Sequence, residues 1–570
     1  MTDNPAADLD TDVAAARDWV ASVGSVPLTG AADVLVDGSG RLGPLSYLVP
    51  SHLAVAPGDA VQVPFGKRTA HGLVLGPGDD DKATREIETV WGRRAEPSVL
   101  ATARLIADRH FETIDRVAKR LGPASGKGET PLGDDEVIAA ETLSPLPGLD
   151  LPDSGTPWRR FVARPPAHDQ AKHAAAVAHE LSDRGQVLVI CPTKALVGQV
   201  EAQFESGARR IDTGAESGTW RGFVEGKVAI GIGTRAAALY SAPDLAAIVV
   251  VEQSHPALLE ASMPHTHARD VVLLRSMVCD VPVVFTGVVP TPSALAGGVK
   301  LVTATPGVGW PEMVLVDTAE REGRNRLTPS EVTAAARDAR AAGKPALVVV
   351  ERKRSIHRCV SCHVERSCPH CPSASVCSHT PGPCADCGAR GTRVVGWDAA
   401  RLERLFGHRV IAVEPGDLVR RRNAGTVILF DVDAPARRPG LQPDHAVASL
   451  VTSAALAAGP AGKVVAMTTT SHSPTLEALF VARDTRALAK VLWFRAKQFK
   501  LPPFGRLVSV TVKRKYTPSV TGWPGTVHGP RKVRGDEWEI LVRIPADELD
   551  RLTGPIERLR RGGKTRITVT

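Results

Sequence analysis

The chain of 570 residues has few aromatic residues, few cysteines and no long apolar run. Aromatic residues make up 4% of it while prolines number 44, which indicates cores of small side chains and many connecting loops. No apolar stretch reaches the length of a membrane span and no signal peptide is recognisable, so we expect a soluble cytoplasmic protein without membrane contact. Nine cysteines in a chain of this length exclude a disulfide-stapled secreted domain and favour a reducing compartment.

The cysteines that are present are clustered, and their spacing predicts zinc binding. Seven of the nine form three C-x2-C pairs and a single residue: Cys359/Cys362, Cys368/Cys371, Cys384/Cys387 and Cys377. Two such pairs supply the four thiolates of a closed tetrahedral site, which leaves no open position for water. We therefore expect a structural or docking role for the metal rather than a catalytic one.

The pairing of these ligands is open from spacing alone. The four cysteines from Cys359 to Cys371 could close one site, but nested ribbons usually join the first pair to the last pair. In that arrangement one zinc is bound by Cys359, Cys362, Cys384 and Cys387, and a second zinc by Cys368, Cys371, Cys377 and one further ligand. His379 is the nearest histidine for that last position, while His370 and His363 are less well placed.

Positive charge is concentrated near the carboxyl end. The net charge is +8, and residues 501–570 contain 14 Lys+Arg against 7 Asp+Glu, a surplus of 7. Such a region can bind phosphates through salt-sensitive contacts, although solvated surface charge is the simpler interpretation.

The length of 570 residues predicts three to five domains, at about 150 residues for each. Short alternating strands between residues 34 and 75, with a tight turn at Pro57-Gly58-Asp59, predict a small β-barrel. Residues 99–120 are helical in pattern, and residues 121–155 form a connector rich in Gly, Pro and Asp.

Two α/β regions follow the connector. Apolar strands such as Val187–Cys191 and Ile248–Val251 alternate with amphipathic helices, which predicts a parallel doubly wound sheet. A second unit of this kind runs from a helix at Glu331 to a strand at Lys463–Met467, and the cysteine cluster interrupts it.

Several motifs in one order resemble the PriA family of primosomal replication-restart proteins, relatives of superfamily 2 helicases. The matching segments are Tyr47-Leu-Val-Pro50, Val63-Pro-Phe-Gly66 with Gly72, Val187-Leu-Val-Ile-Cys-Pro192, Ile232-Gly-Thr-Arg235, His267-Ala-Arg-Asp270, the cysteine cluster, and Arg495 with Leu501-Pro-Pro-Phe504. The family has eight cysteines in two zinc sites, whereas this chain has seven in its cluster.

The resemblance implies a multidomain α/β protein with RecA-like lobes of the superfamily 2 helicase type. The implied domains are a 3′-DNA-end-binding β-barrel at 1–97, a helical connector or reduced winged-helix region at 98–155, lobe 1 at 156–325, lobe 2 at 326–484 with a zinc-ribbon-like insertion at 357–390, and a basic α+β C-terminal DNA-binding domain at 485–570.

The chain departs from this family at the parts that hydrolyse ATP. A working loop ends in Gly-Lys-Thr and cradles phosphates with its amides. At that place the chain has Arg164-Pro-Pro-Ala-His-Asp-Gln170, in which two prolines remove amide donors, and the nearby Lys172 is expected to be a surface residue.

Two further catalytic parts are missing by the same comparison. The family's Asp-Glu-Glu-His aligns with Val251-Glu252-Gln253-Ser254, and a valine cannot ligate Mg²⁺. Between Ser453 and Lys463 there is no arginine finger. We therefore predict no catalytic residue, no nucleotide-binding residue and no ATPase or helicase activity.

The function implied by the resemblance is recognition of abandoned forks. The protein would bind forked or branched DNA with a 3′ end and single-stranded DNA, and would promote primosome assembly and reloading of the replicative helicase. Its partners would be primosome proteins, a helicase loader or the replicative helicase, and single-strand-binding protein. We expect a nucleoid-associated monomer.

Two alternatives belong to other classes of protein. One is an active ATP-dependent 3′–5′ DNA helicase with an unconventional nucleotide site near Gly459-Pro-Ala-Gly-Lys463. The other is a zinc-ribbon protein of RNA binding or transcription. Binding to forked DNA, plain duplex and structured RNA separates these hypotheses.

Overall fold

The computed structural model describes the chain over residues 7–24, 27–37, 39, 42–122, 158–211, 217–322, 327–350, 356–363, 365–366, 383–384, 386–395, 399–406, 410–437, 442–513, 520–534, 536–562 and 565–569. The described residues form two compact units. The first comprises Met1–Ala163, Gln170–Val302 and Trp493–Thr570, and the second comprises Arg164–Asp169 and Thr303–Leu492. Most of the predicted connector at 121–155 lies outside the described residues.

The first unit begins with a five-stranded antiparallel sheet. Its elements are α1 (Ala7–Val23), β1 (Ala31–Val36), β2 (Leu45–Leu48), β3 (Asp59–Phe65), β4 (Arg68–Pro77), β5 (Thr89–Arg93), α2 (Pro97–Arg109) and α3 (Ile114–Ala118). The strand order is β2-β1-β4-β3-β5, so β2 and β5 are the edges, and closure into the predicted barrel stays a prediction. Alternate residues such as Val34, Val61 and Val74 form its apolar core.

The predicted turn before β3 depends on Gly58. This residue has φ +93°, and a Cβ atom there would lie 1.8 Å from the carbonyl oxygen of Ala95. The amides of Arg94 and Ala95 both donate to the Gly58 carbonyl at 2.9 and 3.1 Å. Only glycine allows the backbone to approach this closely.

The first unit also contains a seven-stranded parallel sheet. Its elements are β6 (Arg159–Ala163), α4 (Gln170–Ser182), β7 (Gln186–Ile190), α5 (Lys194–Glu201), β8 (Ala208–Arg210), α6 (Ser217–Val224), β9 (Ile230–Gly233), β10 (Leu245–Val250), α7 (Ala268–Cys279), β11 (Val283–Gly287), α8 (Pro292–Leu295) and β12 (Lys300–Val302). The order is β12-β6-β11-β10-β7-β9-β8. Leu188 and Ile190 pack on one face and Val187 and Val189 on the other, which is why this strand is a continuous apolar run.

The second unit is built on a five-stranded parallel sheet and a small antiparallel one. Its elements are β13 (Glu312–Asp317), α9 (Ser330–Ala341), β14 (Ala346–Val349), β15 (Ile356–Cys359), β16 (Glu365–Arg366), β17 (Thr392–Val395), α10 (Ala399–Leu405), β18 (Ile411–Val413), β19 (Thr426–Leu429), α11 (Pro443–Ala458), β20 (Lys463–Thr468) and α12 (Pro474–Leu476). The orders are β13-β20-β19-β14-β18 and β16-β15-β17. The strand β13 precedes the predicted lobe boundary at residue 325, yet it pairs with β20.

The carboxyl-terminal part is an antiparallel sheet with helices on one face. Its elements are α13 (Thr485–Gln498), β21 (Arg506–Lys513), β22 (Thr526–Arg534), β23 (Glu537–Ile544), α14 (Thr553–Gly562) and β24 (Arg566–Val569). The strand order is β22-β23-β21-β24, so β22 is an edge. Val508, Val510 and Val542 pack against Leu552 and Ile556, which covers the inner face.

Helix starts follow from local capping. Thr193 accepts a hydrogen bond from the Leu196 amide at the start of α5, and Thr291 accepts one from the Ala294 amide at the start of α8.

Short 3-10 helices lie at Arg235–Leu239, Pro256–Leu258, Pro415–Arg420, Ala434–Arg437 and Ala546–Leu552, and a π-helical turn lies at Glu477–Ala482. None of the described helices combines the length and the apolar character that crossing a bilayer requires.

Candidate functional site

Four of the predicted zinc ligands come together in the second unit. The sulfur atoms of Cys359, Cys362, Cys384 and Cys387 all lie within 4.8 Å of one another. Cys359 Sγ is 3.4 Å from Cys387 Sγ, and Cys362 Sγ is 3.6 Å from Cys384 Sγ. Tetrahedral zinc with Zn–S bonds of about 2.3 Å requires sulfur atoms roughly 3.8 Å apart. The donor set therefore fits one zinc ion, and it pairs the first C-x2-C with the last.

Each of the two cysteine pairs lies in a backbone turn of the same kind. The amide of His363 donates to the Cys359 carbonyl at 3.1 Å, and the amide of Gly388 donates to the Cys384 carbonyl at 2.8 Å. His363 and Gly388 each follow the second cysteine of a pair, and both have positive φ, +59° and +72°. Each turn directs two thiols to the same point, so the site is assembled from two copies of one knuckle.

The local amides favour the thiolate form that zinc needs. The amides of Cys362 and Ser361 point at Cys359 and lower the pKa of its thiol to about 6. The amides of Asp386 and Cys387 likewise lower the pKa of Cys384. A thiolate is the form that binds the metal, so these donors prepare the ligands before an ion arrives.

The predicted second site cannot be located. Cys368, Cys371, Cys377 and His379 all lie outside the described residues, as does His370. His363, considered above as a further ligand, is exposed and serves as the turn residue of the first knuckle. The second zinc stays a prediction.

The segment where a phosphate-binding loop would stand is closed around an arginine. Arg164 is 3% exposed. Its Nη1 donates to the carbonyl oxygens of Pro165 at 3.3 Å, Pro166 at 3.1 Å and His168 at 2.6 Å. Three carbonyl dipoles therefore point into the space that amide donors line in a phosphate cradle.

Two backbone amides of this segment are engaged as well. The Ala167 amide donates to the Gly309 carbonyl at 3.0 Å, and the His168 amide donates to the Pro165 carbonyl at 3.0 Å. Gly309 has φ +70°, and a Cβ atom there would be 2.4 Å from the side chain of Pro165. The segment is thus packed against Gly309 and offers neither free space nor these two donors to an anion.

The carboxyl end of β10 differs from expectation in one respect. Val251 is 1% exposed and its amide donates to the Ile190 carbonyl at 2.9 Å, so it continues the strand. Glu252, with φ +48°, is the first residue beyond it that carries a carboxylate. A shift of one residue in the alignment would put this carboxylate at the position of the metal-binding aspartate.

The next residue, Gln253, is fully buried, and both polar atoms of its side-chain amide are hydrogen-bonded. Its Nε2 donates to the Val289 carbonyl at 2.9 Å, and its Oε1 accepts from Thr291 Oγ1 at 2.9 Å. Thr291 in turn accepts from Arg269 Nη1 at 3.2 Å, and Arg269 pairs with Asp270 at 2.8 Å. The family-like segments around Gln253 and Asp270 are thus joined by one structural hydrogen-bond network. Sequence reasoning did not find this network, since Thr291 carries no motif signal.

The alternative glycine-lysine loop has the wrong connectivity for phosphate binding. Gly459 ends α11 and Lys463 begins β20, so the turn runs from helix to strand, whereas a P-loop runs from strand to helix. Lys463 Nζ pairs with Glu312 at 2.9 Å. A Cβ atom at Gly462 would be 2.4 Å from the Ala458 carbonyl oxygen, so backbone fills this turn.

The predicted basic surface is distributed over the carboxyl-terminal sheet. Arg531, Lys532 and Arg534 lie on the edge strand β22, and Lys513 ends β21. Arg560 reaches Glu112 at 2.9 Å, a contact that sequence reasoning did not anticipate because 448 positions separate the two residues. Arg514 and Lys515 lie outside the described residues.

Comparison with known families gives a match in the amino-terminal part. A family model described as the 3′ DNA-binding domain (3′BD) of PriA matches residues 33–123, which span the first sheet with α2 and α3. The chain is also similar to curated relatives over longer stretches. The resemblance to PriA proposed from the motifs is therefore confirmed.

Three curated relatives give the extent of that similarity. The replication restart protein PriA of Bacillus subtilis is 24% identical over 47% of this chain and 34% of its own length. The probable replication restart proteins PriA of Mycobacterium leprae and Mycobacterium bovis are 29% and 27% identical over 35% and 42% of this chain. The matched stretches span 36% and 41% of those two proteins, so this chain matches well under half the length of each relative.

Solved structures give only loose overlaps. Saccharomyces cerevisiae Dbp5 L327V bound to RNA and ADP BeF3 covers 60% of this chain and 89% of its own, at 10% identity and a TM-score of 0.30. Mycobacterium smegmatis helicase Lhr bound to ssDNA and AMP-PNP covers 58% of this chain and 46% of its own, at 11% identity and a TM-score of 0.29.

Proposed function

We propose, from the premise that this chain is similar to the replication restart protein PriA, that it binds forked DNA carrying a 3′ end and promotes restart without hydrolysing ATP. The observation that carries the DNA part is the 3′ DNA-binding domain match over residues 33–123. The charge surplus in residues 501–570 also supports DNA binding, because a basic surface attracts phosphates. This observation does not depend on the similarity to PriA.

The proposed loss of ATP hydrolysis rests chiefly on Arg164. A guanidinium that occupies the loop and gathers three carbonyl oxygens leaves no cradle of amides for phosphate. The engagement of Gln253 with Val289 and Thr291 supports the same conclusion, since both polar atoms of this buried amide already have protein partners. Within Val251–Ser254, Glu252 is the one residue with a carboxylate. A magnesium ion that serves nucleotide hydrolysis also needs oxygens of the bound phosphates, so Glu252 by itself does not form such a site.

The two α/β sheets are, in this proposal, helicase-type lobes retained as a DNA-binding framework. The zinc knuckles would hold a docking surface for primosome proteins, a helicase loader or replicative helicase, or single-strand-binding protein. The four-thiolate donor set supports that role because it leaves no coordination position for substrate. A nucleoid-associated monomer is the form we expect.

Fork binding is tested by fluorescence anisotropy with matched substrates. The set comprises a fork whose leading strand ends in a 3′ hydroxyl at the junction, the same fork with a 3′ phosphate, a plain duplex and a structured RNA. We expect the 3′ hydroxyl fork to bind at least about tenfold tighter than the duplex. Equal binding to all DNA forms, or preference for RNA, would overturn the proposed function and favour a zinc-ribbon RNA protein.

ATP hydrolysis is tested separately with forked DNA present. We expect turnover at the buffer background, unchanged in Lys463→Ala. Turnover that DNA stimulates and that Lys463→Ala abolishes would revive the unconventional helicase. Turnover abolished instead by Glu252→Gln would place a working metal site at the end of β10.

A further inference from the structure

A broad cleft lies within the first unit, between its amino-terminal and carboxyl-terminal parts. Its volume is about 1510 Å³. One side is formed by β1, β4, α2 and α3, and the other by β21, β23, β24 and α14. Most of the lining residues fall within 33–123, so the cleft continues the segment that matches the 3′ DNA-binding domain.

The two sides of the cleft differ in charge. The carboxyl-terminal side contributes Lys513, Arg560, Arg561 and Arg566 against one carboxylate, Glu537. Arg566 is 3.8 Å from Glu537, and the pair is about half exposed, so it is weakly coupled. This side therefore keeps a surplus of positive charge.

The amino-terminal side carries more carboxylates than cations. Four carboxylates line it against three cations, and Leu35 and Leu75 are buried beneath them; the carboxylates are Asp33, Asp108, Glu112 and Asp115, and the cations are Arg104, Arg116 and Lys119. Glu112 is the most buried carboxylate, with its side chain 4% exposed, and it accepts ion pairs from both Arg116 at 3.1 Å and Arg560 at 2.9 Å. Glu112 thereby holds one of the four cations of the opposite side away from any ligand.

A cleft with one basic side and one side rich in carboxylates fits a single nucleic acid strand. Its phosphates would lie along Lys513, Arg561 and Arg566, and its bases would face the carboxylates, which accept hydrogen bonds from base amino groups. A duplex presents phosphates outward on both sides and does not match a cleft with only one basic wall. On the basic side, Lys513 makes no ion pair among the described residues, and Arg561 makes an exposed one with Glu557 at 3.6 Å, so both can meet a phosphate at little cost.

We propose that this cleft binds the single-stranded DNA segment adjoining the 3′ end, and so connects the 3′ DNA-binding segment with the carboxyl-terminal sheet. The proposal rests on the function proposed above and adds the path of one strand. Its physical basis is the continuity of the cleft with residues 33–123 and the charge difference between its sides.

The test compares charge variants on oligo(dT) of about 20 nucleotides, which exceeds common single-strand site sizes of about 4–16. The variant is Lys513→Glu with Arg561→Glu, and the matched control is Lys300→Glu, an exposed lysine at β12 outside the cleft. Each phosphate contact to a single strand contributes about 0.7 to the slope of log K against log salt. We expect the double variant to reduce the magnitude of that slope by about 1.4, that is, by two phosphate contacts. Its affinity at low salt should fall at least about tenfold, and the control should keep the wild-type slope and affinity.

A variant of opposite sign makes the test sharper. Glu112→Gln keeps the shape of the side chain and removes the charge that holds Arg560 and Arg116, so single-strand affinity should rise about threefold at low salt. Thermal melting establishes whether each variant folds. If the double glutamate variant does not fold, the double glutamine variant at the same two positions takes its place.

The outcomes separate this inference from the proposed function. If wild-type protein prefers 3′-ended forks but the double variant keeps its single-strand slope, the cleft assignment is overturned and the proposed function stands. Equal losses on single strand and blunt duplex would also overturn the single-strand path. Wild-type protein without preference for a 3′ end overturns the proposed function, whatever the variants do.

Discussion

Replacing one thiolate of the four-cysteine site should remove one zinc ion and no more. The perturbations are Cys362→Ser and Cys387→Ser, which lie in different knuckles but share one proposed ion. Structural zinc contributes on the order of 10–16 kcal/mol to small zinc domains, so one of four thiolates contributes about 2.5–4 kcal/mol. The expected loss in zinc affinity is roughly a hundredfold to a thousandfold.

Native mass spectrometry gives the zinc count, and competition with a chromophoric chelator gives the affinity. Both variants should lose the same ion, and Cys279→Ala, a cysteine outside the cluster, should keep the wild-type count. If wild-type protein binds two ions, Cys368→Ser and His379→Ala should each remove the other one.

The pairing of first with last knuckle fails if Cys362→Ser and Cys387→Ser remove different ions. The contact of 3.6 Å between Cys362 and Cys384 would then be unrelated to metal binding. An unchanged zinc affinity in both variants would show that these cysteines do not bind the metal.

Two further predictions concern stability. Gly58→Ala should lower the free energy of unfolding, measured by denaturant titration, by about 2–4 kcal/mol, because its Cβ would lie 1.8 Å from the Ala95 oxygen. The matched control is Gly43→Ala, where φ is +73° and no atom lies within 4 Å of the added Cβ. This control should lower the free energy of unfolding by only about 1 kcal/mol. Equal costs at both positions would refute the steric reasoning. Burial lowers the pKa of His110 to about 4. The pKa of a histidine in the unfolded chain is about 6.5, so the folded protein favours the neutral ring. The contribution of His110 to the free energy of unfolding is therefore fully present above pH 6.5. It should fall by up to about 3 kcal/mol as the pH drops toward 4. His110→Gln should flatten that part of the unfolding profile, and an unchanged profile would contradict the assignment.

The strands with strong local signals were predictable, and the pairings between distant segments were not. The run around Val187–Ile190 is apolar at every position because both faces of β7 are covered, and this marks it as a buried strand in any context. The strand β13 has a weaker pattern with partly exposed residues, and its partner β20 lies about 150 positions further on. Local periodicity carries no information about such a pairing.

The candidate site was predictable where spacing dictates chemistry. The outer cysteine pairs meet as nested knuckles, because two short turns can each direct two sulfur atoms to one point. The role of His363 was not predictable, since positive φ in a turn is a property of the folded backbone. The engagement of Arg164 was equally hidden, because an arginine before two prolines reads as an ordinary loop cation until its carbonyl partners are known.

The closed loop at Arg164 has a consequence for the reversibility of any loss of activity. Returning a lysine or a glycine to this segment would leave three carbonyl oxygens facing inward and Gly309 pressed against Pro165. An anion would meet repulsion until the arginine, both prolines and the backbone direction had all changed. Each single step toward a phosphate cradle would destabilise the loop before it bound anything. If ATP hydrolysis is lost as proposed, a single substitution in this segment would therefore not restore a phosphate-binding loop.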